Sequence, residues 1–216
     1  LGYTFLFVLA AYPLLLAKTR RPLARAMQVW AKGVVAMMRG VAGIRVAVRG
    51  RENLPKSGAY ILASKHQSEA DGIVMLALVG DLAFVAMKEV AKYPLVGPVL
   101  KKLEMVLVAP AGGARERPPL AEGGRSAAQD GRAILIYPEG TLMKLGERGR
   151  YRAAVHHLAA DLGVPVIPVA TDIGRCSKTQ GSRSCRSRRT RRASPRGRAS
   201  ASRRCIGSKV SSSRVC

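Results

Sequence analysis

Cysteine is absent from the first 175 residues; all four cysteines (Cys176, Cys185, Cys205 and Cys216) lie beyond them. That absence excludes disulfide staples and thiolate metal sites from the body of the chain, and it suits reducing, cytosolic conditions. Aromatic residues are few, with a single Trp, while glycine is plentiful. Acidic residues are scarce: 13 against 37 Lys and Arg, for a formal net charge of +24. So large an excess ordinarily points to nucleic acid or an anionic membrane surface. Its distribution changes that reading. From Arg175 to Cys216 there are 14 basic residues and no acid, whereas residues 1–174 hold 23 basic and all 13 acidic residues, a net of +10. The body is then basic to the degree common at membranes or on phosphorylated substrates. At 216 residues the chain can hold one ordinary domain with a sizeable core.

Leu1 to Ala17 is apolar apart from Tyr3, Thr4 and Tyr12, with Pro13 inside it. As one helix it would span about 26 Å, slightly less than the roughly 30 Å hydrocarbon core of a bilayer. Lys18, Arg20 and Arg21 follow at once and would keep that end cytoplasmic. No basic residue precedes the run, which weakens the rival reading as a secretory signal; a second rival is a buried helix. The expectation is a membrane-inserted or re-entrant helix. The chain begins with Leu rather than Met, consistent with residues missing ahead of it. Pro22 to Arg39 predicts a second helix, with Pro22 in its first turn. Leu23, Met27, Trp30, Val34, Met37, Met38 and Val41 recur at helical spacing, and Arg25, Lys32 and Arg39 share one face. Such a helix suits the plane of an anionic membrane; equally, it can pack on the protein with its basic face in water.

Further on, short apolar runs alternate with helical patterns. Strands are predicted over Ile44–Val48, Ala59–Ala63, Ala83–Met87, Met105–Val108, Ala133–Tyr137 and Val164–Ala170; Pro165 and Pro168 mark the last as a sheet edge or as a strand whose N–H groups at those points face no partner. Helices are predicted over Gly72–Val79, Leu120–Asp130 (weakened by Gly123 and Gly124) and Tyr151–Leu162, with short broken helices over Lys88–Lys102. Ala109–Pro119 reads as a Gly- and Arg-bearing loop. The pattern argues for an α/β fold: a mixed, largely parallel sheet flanked by helices and preceded by N-terminal membrane-associating helices. In such sheets ligands gather beyond the carboxyl ends of the strands, where His66 and Glu139 both fall.

The segment Ser64-Lys65-His66-Gln67-Ser68-Glu69-Ala70-Asp71 carries the chemistry. Five residues along one helix set two side chains about 140° apart, and on one strand an odd spacing sets them on opposite faces. His66 and Asp71 can therefore meet only across a turn. Ser68 as N-cap, with Asp71 one turn in, supplies that turn. A carboxylate on one imidazole nitrogen leaves the other free to take a proton from a hydroxyl. The plainer alternatives are a polar loop histidine and a helix-capping acid. His156 and His157 are adjacent on a helix and point apart, and no metal site is evident.

His66-x4-Asp71, followed by Pro138-Glu139-Gly140-Thr141, resembles the glycerolipid acyltransferases, and among them the bacterial lysophosphatidate (1-acyl-sn-glycerol-3-phosphate) acyltransferases. Lys65-His66-Gln67-Ser68 is similar to the family's first block, Tyr137 to Thr141 to its third and Val164 to Val169 to its fourth; Lys88-Glu89 with Pro94 and Gly97 resembles the segment between the first two. The resemblance covers about residues 40–174. The second block departs: an acid and an Arg usually follow the strand, and Ala109-Pro110 stand there instead. The resemblance implies that His66 is a general base on the sn-2 hydroxyl of lysophosphatidate and that Asp71 orients it. The acyl donor would be acyl-ACP or acyl-CoA as co-substrate, with no cofactor and no metal, and the product phosphatidic acid. Ser68, Glu139, Gly140 and Thr141 would shape the acceptor site, and Arg115 or Arg117 would substitute as phosphate partners; solvated loop charges are the alternative for those two arginines, and a structural acid bonding loop N–H groups for Glu139.

The implied partners are lysophosphatidate, an acyl thioester, an anionic membrane and an acyl carrier protein, at the cytoplasmic face of a bacterial inner membrane. The expected organisation is 1–42 membrane-associated helices, 43–174 a C-terminally incomplete acyltransferase domain, and 175–216 a basic low-complexity tail. Three readings of the tail stand: a disordered nucleic-acid-binding arm, a polybasic membrane tether, or an out-of-frame translation of a GC-rich gene, which the abrupt break at Ile173-Gly174 favours. Rival functions are an acyltransferase with another lysolipid acceptor, a thioesterase-like hydrolase, and a nucleic-acid binder acting through the tail.

Overall fold

Ala133-Ile134-Leu135-Ile136 is a strand with every side chain buried, and a strand apolar on both faces needs cover on both. The computed structural model, which describes residues 2–109, 117–144, 147 and 149–172, supplies it. The elements are α1 (Gly2–Ala11), α2 (Arg21–Gly40), β1 (Tyr60–Ser64), α3 (Ala70–Val79), β2 (Leu82–Met87), α4 (Gly97–Lys102), β3 (Val106–Val108), α5 (Arg117–Gln129), β4 (Ala133–Ile136), α6 (Ala154–Leu162) and β5 (Val166–Val169). The strands form one sheet in the order β3-β2-β4-β1-β5. Every pairing is parallel, so the mixed component of the expectation is absent from the described sheet.

Strand alternation divides the core in two. Tyr60, Leu62, Leu82, Ala133 and Leu135 point to the side covered by Ala31 of α2 and by Met75 and Leu76 of α3. Ile61, Ala83, Val106, Ile134 and Ile136 point to the other, against Leu120 and Ala127 of α5 and Leu158 of α6. Each fully buried Leu or Ile contributes about 1.5–3 kcal/mol of transfer free energy. The Gly123-Gly124 pair, a cost to α5 as an isolated helix, is what its packing requires. A Cβ on Gly123 would fall 2.9 Å from Val106 Cγ1, and one on Gly124 2.6 Å from Leu158 Cδ1.

Three expectations are corrected. Ile44–Val48 is not a strand: it runs outside the sheet without a ladder partner among the described residues, Ile44 and Val46 half-buried and Val48 exposed. A period of two reports extended backbone, not pairing. The N-terminal apolar run is not one helix. It breaks at Ala11 into a 3-10 segment, Tyr12–Leu16, with Pro13 at its start, since proline ends the i→i−4 ladder. At about 15 Å, α1 is short, and among the described residues no helix is long and apolar enough to cross a membrane. Thirdly, α3 begins at Ala70 with Glu69 at its N-cap position, not Ser68. Of the two readings of the proline-bearing β5, the edge is the one observed: among the described residues it pairs only with β1, Pro168 opposite Ala63.

The amino end of the sheet is tied to the N-terminal helices by charge. Arg20 meets Asp81, Glu104 and Asp130 at 3.4, 3.1 and 2.8 Å. Buried Arg132, just before β4, meets Asp81 at 3.0 Å and donates to the carbonyls of Leu103 and Glu104. These links fix α2 over the sheet at the rim opposite His66. The sequence-based tail, Arg115 and most of the loop after Ala109 lie outside the described residues.

Candidate active site

β1 delivers the chain to the carboxyl rim at Ser64, and the next five residues bend before α3 begins. Asp71 holds that bend. It is fully buried, and one of its oxygens, Oδ2, accepts the Gln67 N–H at 2.7 Å and the Ser68 N–H at 2.8 Å. The same oxygen stands 3.4 Å from His66 Nδ1. An acceptor there assigns the ring proton to Nδ1 and leaves Nε2 as the free base. Ser68 helps locally: its Oγ accepts the Ala70 N–H at 3.2 Å, and its carbonyl the Asp71 N–H at 3.0 Å. The turn required by the five-residue spacing is therefore present, made by the carboxylate and not by a Ser68 N-cap.

The segment after β4 clamps His66 from the other side. Buried Glu139 accepts the His66 N–H at 3.1 Å through Oε2. Met143 donates its N–H to the His66 carbonyl at 2.8 Å. Tyr137 stacks on the imidazole, ring centroids 4.0 Å apart and planes 16° from parallel. His66 is thus fixed by its backbone and by its ring face, while its side chain keeps 24% of its surface open, enough to meet a substrate. Burial and the Asp71 charge push the Tyr137 phenol well above its ordinary value, so it is a neutral donor at any physiological pH.

Gly140 has a left-handed backbone (φ 67°) with the Arg152 side chain against it: a Cβ there would sit 2.7 Å from Arg152 Nε. Its N–H donates to the Tyr137 carbonyl at 3.0 Å, closing the Pro138-Glu139-Gly140-Thr141 turn, with Thr141 exposed at its tip. Lys65, next to His66, donates to the Glu147 carbonyl at 3.2 Å. The site thus gathers His66, Asp71, Ser68, Glu139, Gly140 and Thr141. Arg117 stands elsewhere, in the first turn of α5, paired at 3.1 Å with Asp161 of α6, whose carboxyl it holds below the usual range. Arg115 lies outside the described residues. Two surface clefts, one lined by Arg21, Arg25, Gln28 and Asp81 and the other by Lys18, Arg20, Lys101 and Glu104, open at the opposite rim. Among the described residues no three His, Cys, Asp or Glu side chains are grouped to hold a metal ion.

Sequence reasoning missed Tyr137, which stacks on the base, and Arg152, which lies against the Glu139-Gly140 turn. Tyr137 reads as the apolar end of a strand; its place one residue past β4, level with the strand that delivers His66, was the available signal. Arg152 lies in the basic stretch before α6 with no spacing that links it to Glu139.

The Acyltransferase family profile matches residues 45–172, more than half of the chain, and the chain belongs to that family. The matched span carries both the His66–Asp71 bend and the Glu139 turn. The chain is 32% identical over 149 residues to the 1-acyl-sn-glycerol-3-phosphate acyltransferase of Pseudomonas aeruginosa, covering 69% of this chain and 58% of that one. It is 28% identical over 131 residues to the protein of the same name from Limnanthes douglasii, covering 60% and 46%. The chain thus spans about half the length of the curated relatives it matches. Among solved structures, the 1-acyl-sn-glycerophosphate acyltransferase PlsC of Thermotoga maritima superposes with a TM-score of 0.58 at 24% identity, over 78% of this chain and 66% of that one, a likeness of fold.

Proposed function

We propose that this chain transfers an acyl group from acyl-CoA or acyl-ACP to the sn-2 hydroxyl of 1-acyl-glycerol-3-phosphate, giving phosphatidic acid. The observation that carries the reading is a partly exposed imidazole with its Nδ1 turned to a buried carboxylate, in a chain of the Acyltransferase family. His66 Nε2 takes the hydroxyl proton as the oxygen attacks the thioester carbonyl. The new ester C–O bond forms, the C–S bond breaks, and the proton passes to the departing thiolate. Asp71 stabilises the imidazolium formed between those events. General-base assistance of this kind contributes about 10²–10⁴-fold. The substrate hydroxyl is the nucleophile, so no activated Ser or Cys is needed. The acceptor phosphate would lie at the Glu139-Gly140-Thr141 turn, where Arg152 brings positive charge; Arg117 would have to exchange Asp161 for phosphate, and Arg115, outside the described residues, is the other arginine the sequence offers.

The acceptor has its fatty chain in a bilayer, and α1 offers a surface for one. Phe5, Leu6, Leu9 and Leu16 are 59–89% exposed, an apolar patch without cover. Tyr3 and Thr4, by contrast, hydrogen-bond Trp30 of α2. Lys18, Arg21 and Arg25 follow the patch and suit anionic headgroups. We propose the cytoplasmic face of a bacterial inner membrane as its place; the exposed patch and the basic residues support the membrane contact.

The test is acyl transfer from radiolabelled acyl-CoA to a panel of acceptors: lysophosphatidate, other lysophospholipids, and water alone. Labelled phosphatidic acid formed only with lysophosphatidate supports the proposal. Equal release of free fatty acid with or without an acceptor would instead mark a hydrolase.

A further inference from the structure

The Tyr137 side chain lies against His66 and beside Gly72, the residue that follows Asp71. Its ring lies flat on the His66 imidazole. Its hydroxyl is buried and has no hydrogen-bond partner among the described residues; the same holds for Oδ1, the second oxygen of Asp71. The hydroxyl sits over Gly72, the residue next to Asp71. A Cβ on Gly72 would come within 3.6 Å of the hydroxyl oxygen and 3.2 Å of Phe84 Cε1, so the absence of a side chain there makes the hydroxyl's seat. A buried donor and a buried acceptor, each unpaired and in one locality, cost free energy separately and recover it by meeting.

We propose that Tyr137 is a positioning residue for the acyl-transfer step: its ring sets the plane of the His66 imidazole, and its hydroxyl donates to Oδ1 of Asp71. Asp71 is then held through both oxygens, Oδ2 by the bend and the imidazole, Oδ1 by the phenol. The donation draws negative charge away from the Oδ2 side and moderates the pull of Asp71 on the imidazolium. The inference rests on the acyl-transfer reading for its step, but the contact itself does not.

The other charged groups around His66 are Glu139, bonded to its N–H after β4, Lys65 beside it, engaged with the Glu147 carbonyl, and Arg152 against Gly140. None is altered by removing the phenol oxygen. Tyr137→Phe keeps the stack and removes only the phenol oxygen, while the hydrogen bonds that build the bend, from Gln67 and Ser68 to Asp71 and from His66 to Glu139, stay, so the fold is retained. In the full chain, with lysophosphatidate and acyl-CoA, Tyr137→Phe should lower kcat about five- to tenfold with KM within about twofold. The acid limb of its kcat/KM profile should move up by about half a pH unit, because Asp71 then attracts the imidazolium more strongly. Tyr137→Leu, which also removes the stack, should lose about 10²-fold in kcat. A readout independent of activity is the pH at which the His66 ring resonances shift, with His66 assigned by their loss in His66→Gln; it should rise in Tyr137→Phe. Coincident or lowered ring transitions in Tyr137→Phe overturn the proposal whether or not the chain transfers acyl groups. An inactive wild-type protein with the ring transition raised would reject the acyl-transfer reading and leave the Tyr137–Asp71 contact standing.

Discussion

Oδ2 of Asp71 receives two backbone N–H groups, from Gln67 and Ser68 at 2.7 and 2.8 Å, and faces His66 Nδ1 at 3.4 Å. One oxygen thus shapes the bend and aims the base. Replacing it tests both jobs together. Asp71→Asn presents a single acceptor and an amide that cannot accept, so the bend and the tautomer of His66 compete for one group. The expected result is a kcat lowered by about 10²–10⁴-fold and an unfolding free energy lowered by about 1–3 kcal/mol, read by steady-state kinetics and urea denaturation.

Glu139 separates backbone support from charge. Glu139→Ala strands the His66 N–H in a buried place and should cost about 1–3 kcal/mol in urea unfolding. Glu139→Gln keeps an oxygen for that N–H and should cost less. Equal costs would mean that the hydrogen bond to His66 is not what Glu139 supplies.

Alkaline stability follows from the tyrosines. Burial raises the phenols of Tyr60 and Tyr137 above 10.0, so above about pH 10 the unfolded chain sheds protons that the folded chain keeps, and folding stability falls as pH rises. Urea midpoints measured at pH 9 and pH 11 should therefore drop, and the drop should be smaller in Tyr137→Phe, which lacks one of the two groups.

Membrane association is assigned to the exposed face of α1. Leu6 and Leu9 are 67% and 59% exposed, so Leu6→Glu with Leu9→Glu leaves the core untouched. Sedimentation with anionic vesicles should fall by about tenfold or more, since each buried leucine is worth about 1.5–3 kcal/mol, while the thermal midpoint stays within a few degrees. Unchanged sedimentation would remove α1 from the membrane contact.

Much of this architecture could be read from the amino acids, for physical reasons that differ by element. β4 was legible because four consecutive apolar residues between a glycine turn and a proline permit little else, and β5 because its prolines forbid a central place. The His66–Asp71 contact followed from spacing, since neither a helix nor a strand could bring the pair together. Ile44–Val48 misled because alternation describes how a chain is extended and says nothing of a partner. The break of α1 at Ala11 was underweighted although Pro13 stood in plain view. Tyr137 was legible only by its place at the end of β4: its stack on His66 comes from the parallel alignment of β1 with β4 and the seat of its hydroxyl from the gap at Gly72, and neither is a property of local sequence. Gly123 and Gly124 looked like a weakness of α5 because the side chains of Val106 and Leu158 that fill their space come from distant segments.

The most direct measurement is the rate at which the wild-type chain and His66→Ala move a radiolabelled acyl group from acyl-CoA onto lysophosphatidate, with circular dichroism showing both folded. The account predicts labelled phosphatidic acid from the wild type and a rate lower by about 10²-fold or more from His66→Ala. Transfer by His66→Ala at close to the wild-type rate would contradict it.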